Sequence, residues 1–137
     1  SGLLPGALMH KTSMKFICKN VHLKSVSKKA AASKNVTNVI QVPIAHGEGR
    51  FYCTAEELEK IEANQQVLFK YSTEIGEVDN QSNPNGSLNN IAGVCNEGFN
   101  VFGMMPHPER AAEDFLLNQE GLEIINSIIK EANAVLA

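Results

Sequence analysis

Ile91-Ala92-Gly93-Val94-Cys95-Asn96-Glu97-Gly98-Phe99-Asn100-Val101-Phe102-Gly103-Met104-Met105-Pro106-His107-Pro108-Glu109-Arg110 joins two apolar pieces and a proline-bound tail in one run. Ile91–Cys95 and Asn100–Met105 have strand character and flank Asn96-Glu97-Gly98-Phe99, a spacing that predicts a β-hairpin with Gly98 supplying a positive φ. Past the hairpin, Pro108 disfavours helical geometry at His107, and Pro106 does the same to Met105, so the tail is expected to be extended. In an extended segment residues i and i+2 share a side, which lets the Glu109 carboxylate accept the N–H of the His107 imidazole. A carboxylate so placed fixes the tautomer and leaves the other ring nitrogen free to take a proton: a general base with its orienter. On spacing alone, a surface histidine beside a solvated glutamate accounts for the same residues.

Working outward, the sequence upstream supplies further strands. Lys15–Leu23 places Ile17, Val21 and Leu23 on one face. Lys24–Thr37 loses the pattern and, with Lys24, Lys28, Lys29 and Lys34, reads as a solvated surface loop. Asn38–Ala45 points Ile40, Val42 and Ile44 inward, and Pro43 implies that the strand ends soon or lies at a sheet edge. It leads into His46-Gly47-Glu48-Gly49, a polar loop where glycine permits close backbone approach to a ligand; an ordinary turn reads equally well. Thr54-Ala55-Glu56-Glu57 is a capping box that starts a helix reaching about Gln65. Val67–Tyr71 is a short strand, and Glu74–Asn90 is a long polar loop in which Asn83-Pro84-Asn85-Gly86-Ser87 invites a functional reading beside that of a hydrated turn. Leu122, Ile125, Ile128, Ile129, Ala132 and Leu136 recur at helical steps and predict a closing amphipathic helix, with Glu123, Asn126, Ser127, Lys130 and Glu131 toward water. The order strand, strand, helix, strand, hairpin, helix predicts an α/β layer architecture in a single domain over residues 1–137.

Composition bounds the rest. With 43% hydrophobic and 20% charged residues the chain is neither disordered nor membrane-spanning, and 12 basic against 15 acidic residues argue against a nucleic-acid partner. Cys18, Cys53 and Cys95 form no C-x-x-C pair, which predicts neither a disulfide framework nor a zinc site and suits a reducing cytoplasm. His10, His22, His46 and His107 lack metal-ligand spacing. The opening Ser1-Gly2-Leu3-Leu4-Pro5 has no signal-peptide character and reads as a chain entered midway. Cys95 in Gly93-Val94-Cys95-Asn96-Glu97-Gly98 resembles a nucleophile elbow, but Glu97 stands where a small residue is needed and a strand follows, so an ordinary hairpin cysteine is the better reading.

Together, Gly2-Leu3-Leu4-Pro5-Gly6-Ala7, Lys15-Phe16-Ile17-Cys18, Pro43-Ile44-Ala45-His46-Gly47-Glu48-Gly49, Asn85-Gly86-Ser87, Ile91-Ala92-Gly93-Val94 and Gly103–Arg110 resemble, in order and over essentially the whole chain, the class I (triad) glutamine amidotransferases. Within them the likeness is to the glutaminase subunits of phosphoribosylformylglycinamidine synthase. The resemblance implies the C-terminal part of a flavodoxin-like domain with a mixed sheet and flanking helices, the N-terminal strands and nucleophile elbow missing. It implies glutamine hydrolysis through a cysteinyl thioester, with the ammonia passed to a formylglycinamidine ribonucleotide synthetase subunit for purine biosynthesis. His107 and Glu109 match the family's catalytic His and Glu, and His46, Gly47 and Glu48 match the loop that holds the glutamine amino-acid end. The family's nucleophilic Cys precedes the matched region, so this stretch alone is expected to be inactive. No cofactor is implied here, since ATP and magnesium belong to the partner. Strands left without neighbours predict self-association through an exposed sheet. Two other classes stay in play: a non-catalytic glutamine-binding or synthetase-docking module, and a cysteine hydrolase using Cys95.

Overall fold

In a computed structural model, residues 2–10, 17–46, 48–112 and 118–137 are described. The elements in chain order are β1 (Ala7–His10), β2 (Ile17–Ser25), α1 (Ala31–Lys34), β3 (Ile40–His46), β4 (Glu48–Tyr52), α2 (Ala55–Ala63), β5 (Val67–Ser72), β6 (Ile91–Cys95), β7 (Phe102–Met104) and α3 (Leu122–Leu136). Short 3-10 turns occupy Leu88–Asn90 and Pro108–Ala111. Strands β3-β2-β5-β6-β7 form a five-stranded sheet, and β1 and β4 pair as a separate ribbon. All of these pairings are antiparallel.

β3 is an edge strand, one of the two placements that Pro43 implies: a residue without an N–H is tolerated where one side of the ladder has no partner. Its Ile40, Val42 and Ile44 are fully buried, and they join Val21, Leu23, Leu68, Phe69 and Tyr71 in the larger of two core clusters. α1 and α3 contribute Ala32 and Ile124 to that cluster, while Ile61 of α2 closes a smaller one with Phe51, Cys53, Val67, Ile91 and Val94. The capping box forms as expected, with the Glu57 amide donating to Thr54 Oγ1 at 3.2 Å and the Thr54 amide to Glu57 Oε2 at 2.9 Å.

Three expectations need correction. Lys24–Thr37 is not a solvated loop: β2 runs on to Ser25, and Ala31–Lys34 makes a helical turn that buries Ala30, Ala32, Ser33 and Val36. Lys28 closes this turn by donating to Ser25 Oγ and to the carbonyls of Ser33 and Val36, and burial lowers its pKa. α3 forms, but its inward stripe is rotated: Ile124 and Ser127 are buried, whereas Ile129 and Leu136 face out. Polar docking sets that rotation. Ser127 Oγ donates to Ala31 O at 2.5 Å and accepts the Asn35 amide at 3.0 Å, and Glu131 meets both Lys34 and Asn35. In the hairpin, the left-handed residue is Phe99 (φ 56°) rather than Gly98, because β7 begins only at Phe102 and the Asn96 amide closes the loop on Val101 O at 3.0 Å.

Candidate active site

β6 and β7 pair with Gly93 opposite Met104 and Val94 opposite Gly103, which delivers the chain to Met105 at the end of the sheet's last strand. The Met105 amide donates to Ala92 O at 2.9 Å, extending the ladder by one bond. His107 then has extended geometry (φ −90°, ψ 113°), as the following proline dictates. Glu109, in contrast, lies in the 3-10 turn Pro108–Ala111 and not in a continued strand. The turn still brings its carboxylate to the ring: His107 Nδ1 and Glu109 Oε1 are 3.0 Å apart. The two side chains are 45% and 62% exposed, so this contact adds little to stability and its consequence is geometric. With Nδ1–H donated to Glu109, Nε2 is the ring nitrogen left to exchange protons with a substrate.

A cavity of about 330 Å³ lies against this strand end, lined by Leu4, Gly6, Phe51, Gly93, Gly103 and Met105 among others. His46 and Glu48 occupy the facing ends of β3 and β4, whose backbones pair with Ile17 and His10 respectively. Gly47 lies outside the described residues, and the expected substrate role of His46, Gly47 and Glu48 rests on their position in the chain. β1 and β4, neither of them expected from the sequence, pair as a ribbon, so that Glu48 and Gly49 lie in a strand rather than in the expected polar loop.

Cys95 does not face this site as a nucleophile. It is fully buried, its Sγ lies 3.4 Å from Gln66 O, and burial pushes the thiol up to about 11. Cys53 is also buried, and desolvation followed by the nearby Glu57 and Glu62 raises its pKa; Cys18 is exposed on β2. His22 sits against Gln41, with the two side-chain nitrogens at 3.3 Å. Among the described residues no three His, Cys, Asp or Glu side chains converge on one point, and no helix is long and apolar enough to cross a membrane.

Sequence reasoning left two residues without a role. Tyr71, the last residue of the expected strand Val67–Tyr71, donates its hydroxyl proton to Met105 O at 2.6 Å. Asn85, in the long polar loop, is buried and donates to Gly49 O at 2.9 Å. The length and composition of Glu74–Asn90 were the available signal, and Asn83 shapes that loop by accepting the amides of Gly86 and Ser87 at 2.9 and 3.1 Å.

Comparison with known proteins places this geometry. A family model described as the CobB/CobQ-like glutamine amidotransferase domain matches residues 5–126. The phosphoribosylformylglycinamidine synthase subunit PurQ of Aquifex aeolicus is 49% identical over 132 residues, covering 95% of this chain and 58% of that protein. PurQ of Thermosynechococcus vestitus is 48% identical over 135 residues, covering 93% and 56%. Among solved structures, a chain of PurLQS from Thermotoga maritima superposes with a TM-score of 0.75 at 36% identity, covering 96% of this chain and 55% of that one. The chain therefore spans little more than half the length of the relatives it matches. On the matched extent and the fold, the chain belongs to the CobB/CobQ-like glutamine amidotransferase domain family.

Proposed function

We propose that this chain is the portion of a phosphoribosylformylglycinamidine synthase glutaminase subunit that carries the general base. In this reading the subunit hydrolyses glutamine to glutamate and ammonia. A synthetase partner, which holds the ATP and magnesium, uses the ammonia to convert formylglycinamide ribonucleotide to formylglycinamidine ribonucleotide. The observation that carries the reading is the His107–Glu109 contact at 3.0 Å on the segment leaving β7. The PurQ relatives and the PurLQS likeness supply the reaction and the partner.

The chemistry assigned to the pair is the one that the family resemblance implies, and the His107–Glu109 contact is compatible with it. His107 Nε2 takes the proton of a cysteine thiol contributed by the rest of the subunit, and the thiolate adds to the glutamine side-chain carbonyl. As the tetrahedral intermediate collapses, the imidazolium returns its proton to the departing ammonia and a thioester remains. His107 then deprotonates the attacking water, and the thiol leaves with that proton as glutamate is released. Glu109 holds the ring and stabilises its charged form. His46, Gly47 and Glu48 are assigned to the amino-acid end of glutamine, with the Gly47 backbone as the contact.

The 137 residues form a single domain in this account and by themselves hydrolyse no glutamine, since Cys95 is buried and protonated. That state of Cys95 counts against the cysteine-hydrolase reading, and nothing favours a non-catalytic module. Three free cysteines fit a reducing, cytoplasmic setting. Self-association through exposed sheet surface is also carried forward, supported by Leu8, Met9 and Tyr52 standing open on the β1–β4 ribbon. Glutaminase assays of a subunit of the relatives' full length, with its synthetase, test the reading: His107→Ala abolishes ammonia release, and retained turnover rejects it.

A further inference from the structure

Between the segment that carries His107 and strand β4 lies a chain of largely buried polar groups. Tyr71 is fully buried on β5 and gives its only proton to Met105 O at 2.6 Å, two residues before His107. Its oxygen accepts from Asn85 Nδ2 at 3.4 Å, and the same amide nitrogen donates to Gly49 O at 2.9 Å. Asn85 is oriented from its other side, where Oδ1 accepts the Ser87 amide at 3.0 Å and the Ser87 hydroxyl at 2.8 Å. Ser87 Oγ in turn accepts the Phe51 amide of β4 at 3.1 Å. Each member thus has its hydrogen-bonding capacity engaged, and a fully satisfied buried network defines one arrangement of the elements it joins.

The pattern is unusual in what it connects. Backbone ladders already fix β5 to β6 and β6 to β7, yet Tyr71 reaches beyond the ladder to the carbonyl just past it. Gly49 and Phe51 belong to β4, which pairs with β1 in the separate ribbon and not with the five-stranded sheet. One buried side-chain amide therefore sits where the ribbon meets the sheet, tied to both. We propose that Asn85 and Tyr71 are positioning residues that hold the His107 segment in register with β4, the strand that begins at Glu48 of the segment assigned to glutamine. The proposal rests on the general-base reading of His107 and adds the device that aligns the two sides of the site.

The test uses a subunit of full relatives' length in complex with its synthetase, with kcat and KM for glutamine expressed per natively folded molecule. Tyr71→Phe removes the bond to Met105 O while keeping the ring. It is expected to lower kcat by about 10²-fold, the usual cost of a displacement near 1 Å, with KM within about twofold of wild type. Asn85→Ala loosens both sides and is expected to lower kcat and raise KM together, and adding Tyr71→Phe to it costs little more because the two act as one unit. Should Tyr71→Phe not fold, Ser87→Ala removes one anchor of the amide and carries the test at a smaller loss, roughly threefold in kcat. Wild-type kcat and KM per folded molecule in these variants, whatever the melting temperature, overturn the positioning role. His107→Ala separates the two ideas: if it abolishes turnover while Tyr71→Phe does not affect it, only the positioning role falls; if it leaves turnover intact, the general-base reading falls and takes this one with it.

Discussion

Gly121 immediately precedes α3 at a point where the chain touches the turn that carries Glu109, and substituting alanine there measures how tightly that turn is held. The backbone of Gly121 is right-handed (φ −62°, ψ −22°), so alanine meets no conformational barrier. Indeed the loss of unfolded-state freedom favours it by about 0.4–1 kcal/mol. Space is the obstacle. A Cβ on residue 121 would stand 2.1 Å from Pro108 O and 2.8 Å from Ala111 O. An ordinary C···O contact is about 3.3 Å, so helix and turn must separate by about 1 Å. Both neighbours are backbone, and Ala111 is itself fully buried, so no flexible side chain absorbs the shift. Overpacking of this kind costs about 1–3 kcal/mol. Set against the entropic gain, the net loss is about 1–2 kcal/mol, or a fall in melting temperature of roughly 4–8 °C for a domain of this size. Thermal unfolding of the Gly121→Ala chain, followed by circular dichroism, reads the loss, and the ring signals of His107 report movement of the turn. A melting temperature equal to or above wild type, with those signals unmoved, refutes the packing argument.

Further outcomes follow from the same structure. Thr54→Ala removes one half of the capping box of α2 and costs about 1 kcal/mol in urea unfolding; no change in midpoint means the box is not formed in solution. Ser127→Ala removes the hydroxyl that joins the Asn35 amide and the Ala31 carbonyl between α1 and α3, a loss of about 1 kcal/mol, and a neutral result shows that water replaces the hydroxyl. At pH 8 only about one Cys95 in a thousand carries a thiolate, so thiol reagents modify exposed Cys18 first; equal rates revive Cys95 as a nucleophile. Because burial raises the Cys95 pKa from 9.0 to about 11, its protonated state supports the fold fully below pH 9. That support is lost as the pH rises from 9 through 11, so the urea midpoint falls over that window, and a flat profile excludes the coupling.

Local signals in the sequence located what depends on local interactions. Thr54 and Glu57 lie three residues apart and cap the same turn; Pro43 marks an edge because its missing N–H is a property of one residue; Pro108 sets the backbone of the residue before it. The misread elements depend on distant partners. Four helical residues in Ala31–Lys34 cannot show a 3.6-residue period, and the partners of this turn include Ser127 of α3, almost a hundred positions later. The same docking rotates α3, whose apolar period allowed several faces until Ser127 and Glu131 found Ala31, Lys34 and Asn35. β1 and β4 pair across some 40 residues, beyond any local pattern. At the site, His107 and Glu109 were legible because two prolines constrain the intervening chain, although the carboxylate arrives by a 3-10 turn and not by strand alternation. Tyr71 and Asn85 were left without a role because a tyrosine in an alternating strand reads as core, and a polar loop that invites a functional reading does not reveal which distant carbonyl its asparagine meets.

The central claim is that His107, oriented by Glu109, is the proton-transfer group of a glutaminase. The direct measurement is ammonia release from glutamine by a full-length subunit carrying this chain, assayed with its synthetase, for wild type, Glu109→Gln and His107→Ala. The account predicts turnover in the wild type, a large loss with Glu109→Gln from misorientation of the ring, and background rates with His107→Ala. Undiminished turnover in His107→Ala contradicts it.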